Sequence, residues 1–241
     1  EDQEILFKTE DDRIFYRQAI KYVSEITVRE KVASKVVEDL TGRKPEVLPC
    51  TALASGTYFE RYIQKDFDHV KDGYVLINFM PKGANEDWGQ GVDESRWKAT
   101  IDKVISNMSQ RHKVVMLAQN NVEANILRQE FPDVTCEEPR TVQEYGEVIA
   151  KAKIGLVSRI HAAIPMAGIG TASIVIGTDT RMGTVENIGL PAFYVKNADA
   201  DVLVDTLENI IANREQEAER LIQLREETIN SYKLIFERNM R

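Results

Sequence analysis

The sequence is poor in cysteine and histidine, which limits the kinds of site it can form. Its two cysteines, Cys50 and Cys136, lie neither in a CxxC pair nor at a spacing typical of zinc ligands. This usage is typical of a reducing compartment, so we expect free thiols and no structural zinc, although a Cys50–Cys136 disulfide is compatible with the sequence. Of the three histidines, His69 and His112 lie among charged residues and are expected to be solvated. Only His161 stands in a context that suggests function.

The sequence also lacks an excess of positive charge, a long apolar run and an internal repeat. A formal net charge of −8 argues against general nucleic-acid binding, which usually shows a basic stripe. No apolar run approaches the roughly 20 residues of a membrane helix, and the first residues do not resemble a signal peptide. We therefore expect a protein of the cytoplasm with no transmembrane segment, either free or peripheral at the inner face of the membrane, as a monomer or a homo-oligomer.

Strand-like and helix-like segments alternate along the chain from Gly73 onward. Apolar runs of four to six residues are each followed by a segment with helical spacing of its apolar positions. The predicted strands are Tyr74 to Phe79, Lys113 to Ala118, Val134 to Thr135, Ile154 to Val157, Ser173 to Ile176 and Ala192 to Val195. This alternation predicts an α/β fold with a doubly wound parallel sheet and right-handed crossovers.

The N-terminal part shows fewer strand signals than the rest of the chain. It has short candidates at Ile26 to Val28 and Glu46 to Leu48, and a polar stretch over residues 55–72 that we interpret as a linker. Because the first residue is not Met and strands begin late, we expect this lobe to be incomplete. We predict a partial N-terminal lobe over 1–65, a Rossmann-like lobe over 66–199 and C-terminal helices over 200–241 that pack across both.

One strand end carries the pattern that is most informative about function. The run Ile154 to Val157 ends in Ser158, Arg159 and His161, and a segment of small residues with helical character follows. A helix N-terminus offers unpaired backbone N–H groups to an anion, Arg adds a bidentate fork, and His exchanges a proton near neutral pH. If the segment is extended, the Arg and His side chains point the same way. The alternative interpretation is a surface Arg and a helix-capping His.

Other polar residues follow predicted strands at the same edge of the sheet. Asp179 and Arg181 follow the strand that ends at Ile176, where Asp179 either caps a helix or contacts a substrate hydroxyl. Arg29 follows the short strand near Val28 and, taken alone, is equally consistent with an exposed side chain. Ligands of such sheets bind at the carboxyl ends of the strands, so these residues are candidate substrate contacts.

Two further segments bear on the kind of ligand that the protein binds. The strand that ends at Phe79 carries Asn78 near its end and leads into a long polar loop with Lys82, Asn85 and Trp88, which is long enough for a lid or an acceptor-binding role. Gly168 and Gly170 precede a strand, which reverses the order of a dinucleotide fingerprint and instead indicates a tight turn after a helix. We therefore expect no nicotinamide cofactor.

Taken in order, these segments resemble the polysaccharide pyruvyl transferase family over about Arg13 to Val195. The resemblance is carried by Thr27 to Glu30 before an amphipathic helix, by the Arg-x-His block in Gly155 to Ala163, and by Ile176 to Arg181 with the segment up to Pro191. The sequence departs from the family pattern in places. Cys50 and Thr51 stand where the family has Asp and Pro, Glu30 stands where Asp is usual, and Ala33 stands where Ser is expected.

The resemblance implies a GT-B-like protein with two Rossmann-like lobes that transfers pyruvate from phosphoenolpyruvate to a saccharide as a ketal. On this interpretation Arg29 and Arg159 hold the donor and His161 is the general acid, or stabilises the departing phosphate. Ser158, Asn78, Asp179 and Arg181 complete the expected substrate-binding set. The acceptor is a free or lipid-linked saccharide, and neither a cofactor nor a metal is expected.

Two other functions remain compatible with the sequence. One is a GT-B glycosyltransferase that uses a nucleotide-sugar donor, for which Asp179 or Glu186 could contact the ribose. The other is a non-catalytic scaffold lobe in a glycan pathway, an interpretation favoured by the altered Cys50 and Thr51 and opposed by the presence of Arg29, Arg159 and His161.

Overall fold

The computed structural model describes residues 9–63, 73–83, 89 and 91–240. Its N-terminal part consists of α1 (Glu10–Ile20), β1 (Thr27–Val28), α2 (Lys31–Thr41) and β2 (Glu46–Val47). β1 and β2 pair in parallel, as expected for strands joined by a helix. α2 ends at Gly42, whose φ of 67° is the left-handed conformation that glycine adopts without strain.

A larger parallel sheet follows, and it positions the candidate site. Its strands are β3 (Tyr74–Asn78), β4 (Val114–Leu117), β5 (Thr135–Glu137), β6 (Ala152–Val157), β7 (Ser173–Gly177) and β8 (Ala192–Tyr194). Their spatial order is β5-β4-β3-β6-β7-β8. This order is that of the Rossmann fold, in which the direction of strand addition reverses between the first and fourth strands, here β3 and β6.

Helices cover both faces of this sheet. After the 3-10 turn Thr51–Ala54, they are α3 (Ser55–Tyr62), α4 (Glu94–Met108), α5 (Asn121–Glu130), α6 (Val142–Ala150), α7 (Ile160–Gly168), α8 (Met182–Glu186), α9 (Ala200–Ala212) and α10 (Arg214–Asn239), with a second 3-10 turn at Val195–Asn197. All residues of β3 and β7 are buried. Burial on both faces explains why the strands are continuous apolar runs rather than alternating ones.

The stretch expected to be a linker is partly helical. Ser55–Tyr62 forms α3, which packs against α7 rather than spanning a gap, and residues 64–72 lie outside the described part of the chain. Small residues make this packing possible, because a Cβ built on Gly56 would lie 1.8 Å from the carbonyl oxygen of Gly168. The polar composition of the stretch therefore reflects a helix with one exposed face, and the predicted domain limits stay a prediction.

The last helix, α10, runs from the large sheet to the N-terminal part. Arg225, which is 3% exposed, donates to the carbonyl oxygen of Gly168 at 2.8 Å and pairs with Glu60 at 2.7 Å. Further along, the Tyr232 hydroxyl donates to the carbonyl oxygen of Pro49 at 3.0 Å. α10 thus connects α7 to the segment before Cys50. Among the described residues, no helix is both long enough and apolar enough to cross a membrane.

Candidate functional site

A small cleft at the carboxyl ends of β6 and β7 brings together most of the predicted site residues. It has a volume of about 90 Å³. Six of the seven predicted residues line it: Arg29, Ser158, Arg159, His161, Asp179 and Arg181. These residues lie as far as 152 positions apart in the sequence (181 − 29), so the fold and not local sequence assembles the cleft.

The seventh predicted residue, Asn78, lies behind the cleft rather than in its lining. It is 1% exposed at the end of β3, and its side-chain amide donates to the carbonyl oxygen of Leu117 at 2.9 Å. Its backbone oxygen accepts from the N–H of Ser158 at 2.9 Å. Asn78 therefore fixes the ends of neighbouring strands. The loop that follows was predicted to be a lid or an acceptor-binding loop, and its residues Asn85 and Trp88 lie outside the described part of the chain. His69, elsewhere in the chain, also lies outside it.

Arg159 is paired with a buried carboxylate that the sequence did not single out. Its Nε donates to Oε1 of Glu123 at 2.8 Å, and its Nη2 contacts the same oxygen. Glu123 is 6% exposed and also accepts from the N–H of Gln119 at 3.0 Å and the side chain of Asn120 at 3.1 Å. The pair holds the Arg159 guanidinium in place and offsets much of its charge.

The signal for Glu123 was present in the sequence. Asn120 caps α5 by accepting from the N–H of Glu123 at 2.9 Å, so Asn120 and Glu123 form the Asx-x-x-Glu pattern of a helix N-terminus. Such a pattern predicts a local cap. It does not indicate that the Glu also reaches a strand end 36 residues further along the chain, which depends on the order of strands in the sheet.

His161 is an exposed residue in the first turn of α7. The helix begins at Ile160, so the segment is not extended through His161 as predicted, and Ile160 lines the cleft instead of turning fully into the core. The hydroxyl of Tyr145 donates to the backbone oxygen of His161 at 3.3 Å. Burial raises the pKa of Tyr145 above its ordinary value, so this hydroxyl remains a hydrogen-bond donor well above neutral pH. The imidazole forms no hydrogen bond with any residue in the described ranges.

Asp179 and Arg181 pair with each other at the end of β7. The Asp179 carboxylate accepts from the backbone N–H of Arg181 at 2.8 Å and from its guanidinium at 2.6 Å. Burial acts to raise the pKa of Asp179, but these contacts with Arg181 outweigh burial and hold it below its ordinary value of 3.8. The helix α8 has Arg181 at its N-cap and no side-chain cap hydrogen bond, so the predicted capping by Asp179 is wrong, and Asp179 instead closes the turn that leads into the helix. Its contact with a substrate hydroxyl stays a prediction.

Arg29 differs from the other two guanidinium groups of the cleft. Its Nη1 lies 3.6 Å from the Cys50 sulfur, and its backbone oxygen accepts from Asn187 at 3.0 Å. Within the described part of the chain, no carboxylate lies at ion-pair distance from it, whereas Arg159 and Arg181 are paired with Glu123 and Asp179. Its neighbour Cys50 is a thiol, so no ion pair with a described residue offsets the positive charge of Arg29.

Two buried polar atoms near the cleft have no hydrogen-bond partner among the described residues. They are Oδ1 of Asn78 and Oγ of Ser158. Ser158 lines the cleft, so its hydroxyl is placed to bind a ligand or water.

His112, which was expected to be solvated, instead contacts other side chains: its ring lies 3.1 Å from the Glu208 carboxylate and 2.7 Å from the Lys153 ammonium group.

No protein family model matches the sequence, and no similar curated protein was found. Solved structures do match. A Listeria monocytogenes protein provisionally named a UDP-N-acetylglucosamine 2-epimerase aligns with 88% of this chain and 60% of its own, at a TM-score of 0.55 and 12% identity. MurG from Acinetobacter baumannii aligns with 92% of this chain and 69% of its own, at a TM-score of 0.54 and 10% identity.

A third match is the co-structure of S. aureus MnaA with UDP. It covers 88% of this chain and 60% of that one, at a TM-score of 0.53 and 13% identity. The chain thus spans 60% of the length of two of these three proteins. Together with the Rossmann strand order, the matches confirm the predicted fold class: the chain has an α/β fold of the GT-B-like kind.

Proposed function

We propose that this chain carries the donor site of a saccharide-modifying transferase, and that the donor is phosphoenolpyruvate. The observation that carries the proposal is the convergence of Arg29, Arg159, Arg181 and His161 on one small cleft. The N-terminus of α7 opens at the same place and favours negative charge. These groups suit a compact anion with a carboxylate and a phosphate.

Arg29 is the principal anion-binding group in this proposal. Its charge is not offset by an ion pair with any of the described residues, and a guanidinium binds carboxylate or phosphate through two parallel hydrogen bonds. Arg159 contributes less net charge because it is paired with Glu123, but the same pairing fixes its position. Preorganised donors stabilise developing charge without having to reorient during the reaction. In this proposal Arg29 therefore binds the anion, and Arg159 is a guanidinium held in a fixed orientation beside it.

His161 supplies the proton that pyruvyl transfer needs. In the proposed reaction His161 protonates the methylene carbon of phosphoenolpyruvate while one sugar hydroxyl adds to C2 and returns its proton to His161. The bond between C2 and the phosphate oxygen then breaks. A second hydroxyl adds to C2, and its proton leaves with the phosphate. Positioned acid catalysis of this kind contributes about 10²–10⁴-fold to a rate.

A nucleotide sugar is the second candidate donor, and the comparisons support it more directly than they support pyruvyl transfer. MnaA was solved with UDP, and the Listeria protein is named for a UDP-sugar. Ligands of sheets with this strand order bind outside the point where the order reverses, here between β3 and β6. Against this candidate stands the size of the cleft, about 90 Å³. Pockets for drug-sized ligands typically hold roughly 300–1,000 Å³.

A turnover assay tests the proposal. The protein is incubated with phosphoenolpyruvate and a panel of bacterial glycans, and released phosphate is measured together with the methyl signal of a ketal by NMR. Glycan-dependent phosphate release with a new ketal methyl group supports pyruvyl transfer. Transfer from a UDP-sugar in place of phosphoenolpyruvate supports the second candidate. No turnover and no binding of either donor supports the scaffold interpretation.

A further inference from the structure

A second cavity lies directly beside the anion cleft and has a different lining. Its volume is about 360 Å³, four times that of the cleft (360/90). It lies between the start of α2, the helix α8 and the end of β8. Met182 lines both cavities, so a ligand in one would be separated from a ligand in the other by little more than a side chain.

Two consecutive residues, Arg29 and Glu30, line different cavities. Glu30 has extended backbone angles, with φ −149° and ψ 160°, and successive side chains of an extended segment point to opposite sides. Arg29 accordingly lines the anion cleft, whereas Glu30 lines the second cavity. Its carboxylate lies close to Gly183, where a Cβ would come within 3.1 Å of Oε2. The glycine thus leaves room for the carboxylate at the cavity wall.

The charges of the second cavity are mixed. Glu30 and Glu186 line it together with Lys31. Two carboxylates oppose a second anion such as phosphoenolpyruvate, and the ammonium group opposes a cation. A neutral ligand is therefore favoured, and it must offer hydroxyl donors to the carboxylates.

The remaining lining suits a sugar ring. Asn187 lies on the same wall, with its amide N–H₂ donating to the backbone oxygen of Arg29 at 3.0 Å. Tyr194 is 38% exposed, so part of its ring faces the cavity opening and can cover an apolar face of a ligand. Few orienting polar groups beside an aromatic surface are the usual composition of a small-molecule site.

We propose that this second cavity binds a neutral sugar ring of the saccharide acceptor, with Glu30, Glu186 and Tyr194 as its contacts. The proposal rests on the proposed function for the identity of the ligand as an acceptor. It adds the place where the acceptor lies, next to the donor cleft, and it makes α8 and Tyr194 determinants of acceptor specificity.

Saturation-transfer NMR on the full chain tests this proposal. The probes are the methyl glycosides of glucose, galactose, mannose and N-acetylglucosamine. At least one should receive saturation from the wild-type protein, and its signal should fall at least fivefold in Tyr194→Ala and in Glu186→Gln. The matched controls are Tyr22→Ala, at a tyrosine that is 91% exposed, and Glu215→Gln, at an exposed glutamate of α10. Both controls should retain the wild-type signal, and thermal melting should show that every variant is folded.

Calorimetry with phosphoenolpyruvate separates this proposal from the proposed function. Tyr194→Ala and Glu186→Gln should bind phosphoenolpyruvate with wild-type affinity, because neither residue lines the donor cleft. If none of the four glycosides binds, or if the two variants bind them as the wild type does, the second cavity is not an acceptor site. If a glycoside binds as predicted and phosphoenolpyruvate does not bind the wild type, the acceptor site stands and the assignment of the donor fails.

Discussion

Arg159 and Glu123 form an ion pair that joins the ends of strands on either side of β3. Arg159 follows β6 and Glu123 lies in the first turn of α5, after β4. Asn78, at the end of β3 between them, lies 3.4 Å from the same carboxylate. One buried carboxylate thus organises three consecutive strand ends at the point where the strand order reverses. Its role is to fix the geometry beneath the cleft.

Removing the charge of Glu123 should destabilise the protein. Glu123→Gln keeps the shape but leaves the partly buried Arg159 guanidinium without its counter-charge, and hydrogen bonds to charged groups contribute about 1.5–3 kcal/mol each. We expect the free energy of unfolding in urea to fall by about 1–3 kcal/mol. Glu215→Gln, an exposed counterpart, should change it by less than about 0.5 kcal/mol. Equal effects of the two substitutions would show that the pair is energetically neutral.

Removing the His161 side chain should abolish pyruvyl transfer while leaving the binding of phosphoenolpyruvate intact. His161 is exposed, so His161→Ala should fold normally and bind phosphoenolpyruvate within a few-fold of the wild type. Turnover, measured as phosphate release, should fall by about 10²-fold or more, because the methylene carbon loses its proton donor. Near-normal turnover in this variant would remove His161 from the reaction and leave it as a residue of the helix terminus.

Replacing Gly56 in α3 by alanine should destabilise the protein, although alanine usually stabilises a helix relative to glycine. Alanine in a helix interior is ordinarily more stable than glycine by about 0.5–1 kcal/mol. At Gly56 the new Cβ would lie 1.8 Å from the carbonyl oxygen of Gly168, so the two helices must separate. We expect Gly56→Ala to lower the free energy of unfolding by about 1–3 kcal/mol, as overpacking does. A stabilised variant in urea unfolding would mean that the contact between α3 and α7 is looser.

The stability that Asp179 contributes should depend on pH. The pKa of Asp179 is held below its ordinary 3.8, so its ionised form is favoured in the folded state. A carboxyl with a lowered pKa stabilises the fold above its unfolded pKa, and this stabilisation is lost as pH falls through the lower, folded pKa. Asp179→Asn should therefore melt at a lower temperature than the wild type at pH 6, and the difference should shrink at pH 3. A constant difference would assign the effect to packing.

The parallel sheet and its strand ends were predictable from sequence because buried parallel strands are continuous apolar runs. The predicted strands near Tyr74, Lys113, Ile154 and Ser173 all form, with ends displaced by one or two residues at most. Polar residues that directly follow such strands must gather at one edge of the sheet. That rule alone predicted that Ser158, Arg159, His161, Asp179 and Arg181 lie close together.

The ion pairs within the site could not be predicted, because they depend on which strands are neighbours. Glu123 meets Arg159 only because β4, β3 and β6 are adjacent, and many strand orders are compatible with the same alternation of elements. The helix α3 could not be predicted either, for a different reason. This short segment contains one glycine, Gly56, and several polar surface residues, a composition that does not distinguish a helix from a linker.

The central claim is that the cleft binds phosphoenolpyruvate through Arg29, and isothermal calorimetry tests it most directly. The wild type is titrated with phosphoenolpyruvate and, separately, with UDP-N-acetylglucosamine, alongside Arg29→Gln and the exposed control Arg61→Gln. We expect phosphoenolpyruvate to bind the wild type and Arg61→Gln equally, and its affinity to fall by about 10-fold or more in Arg29→Gln, since hydrogen bonds to charged groups contribute about 1.5–3 kcal/mol. Binding of UDP-N-acetylglucosamine without binding of phosphoenolpyruvate, or an unchanged affinity in Arg29→Gln, would contradict the account.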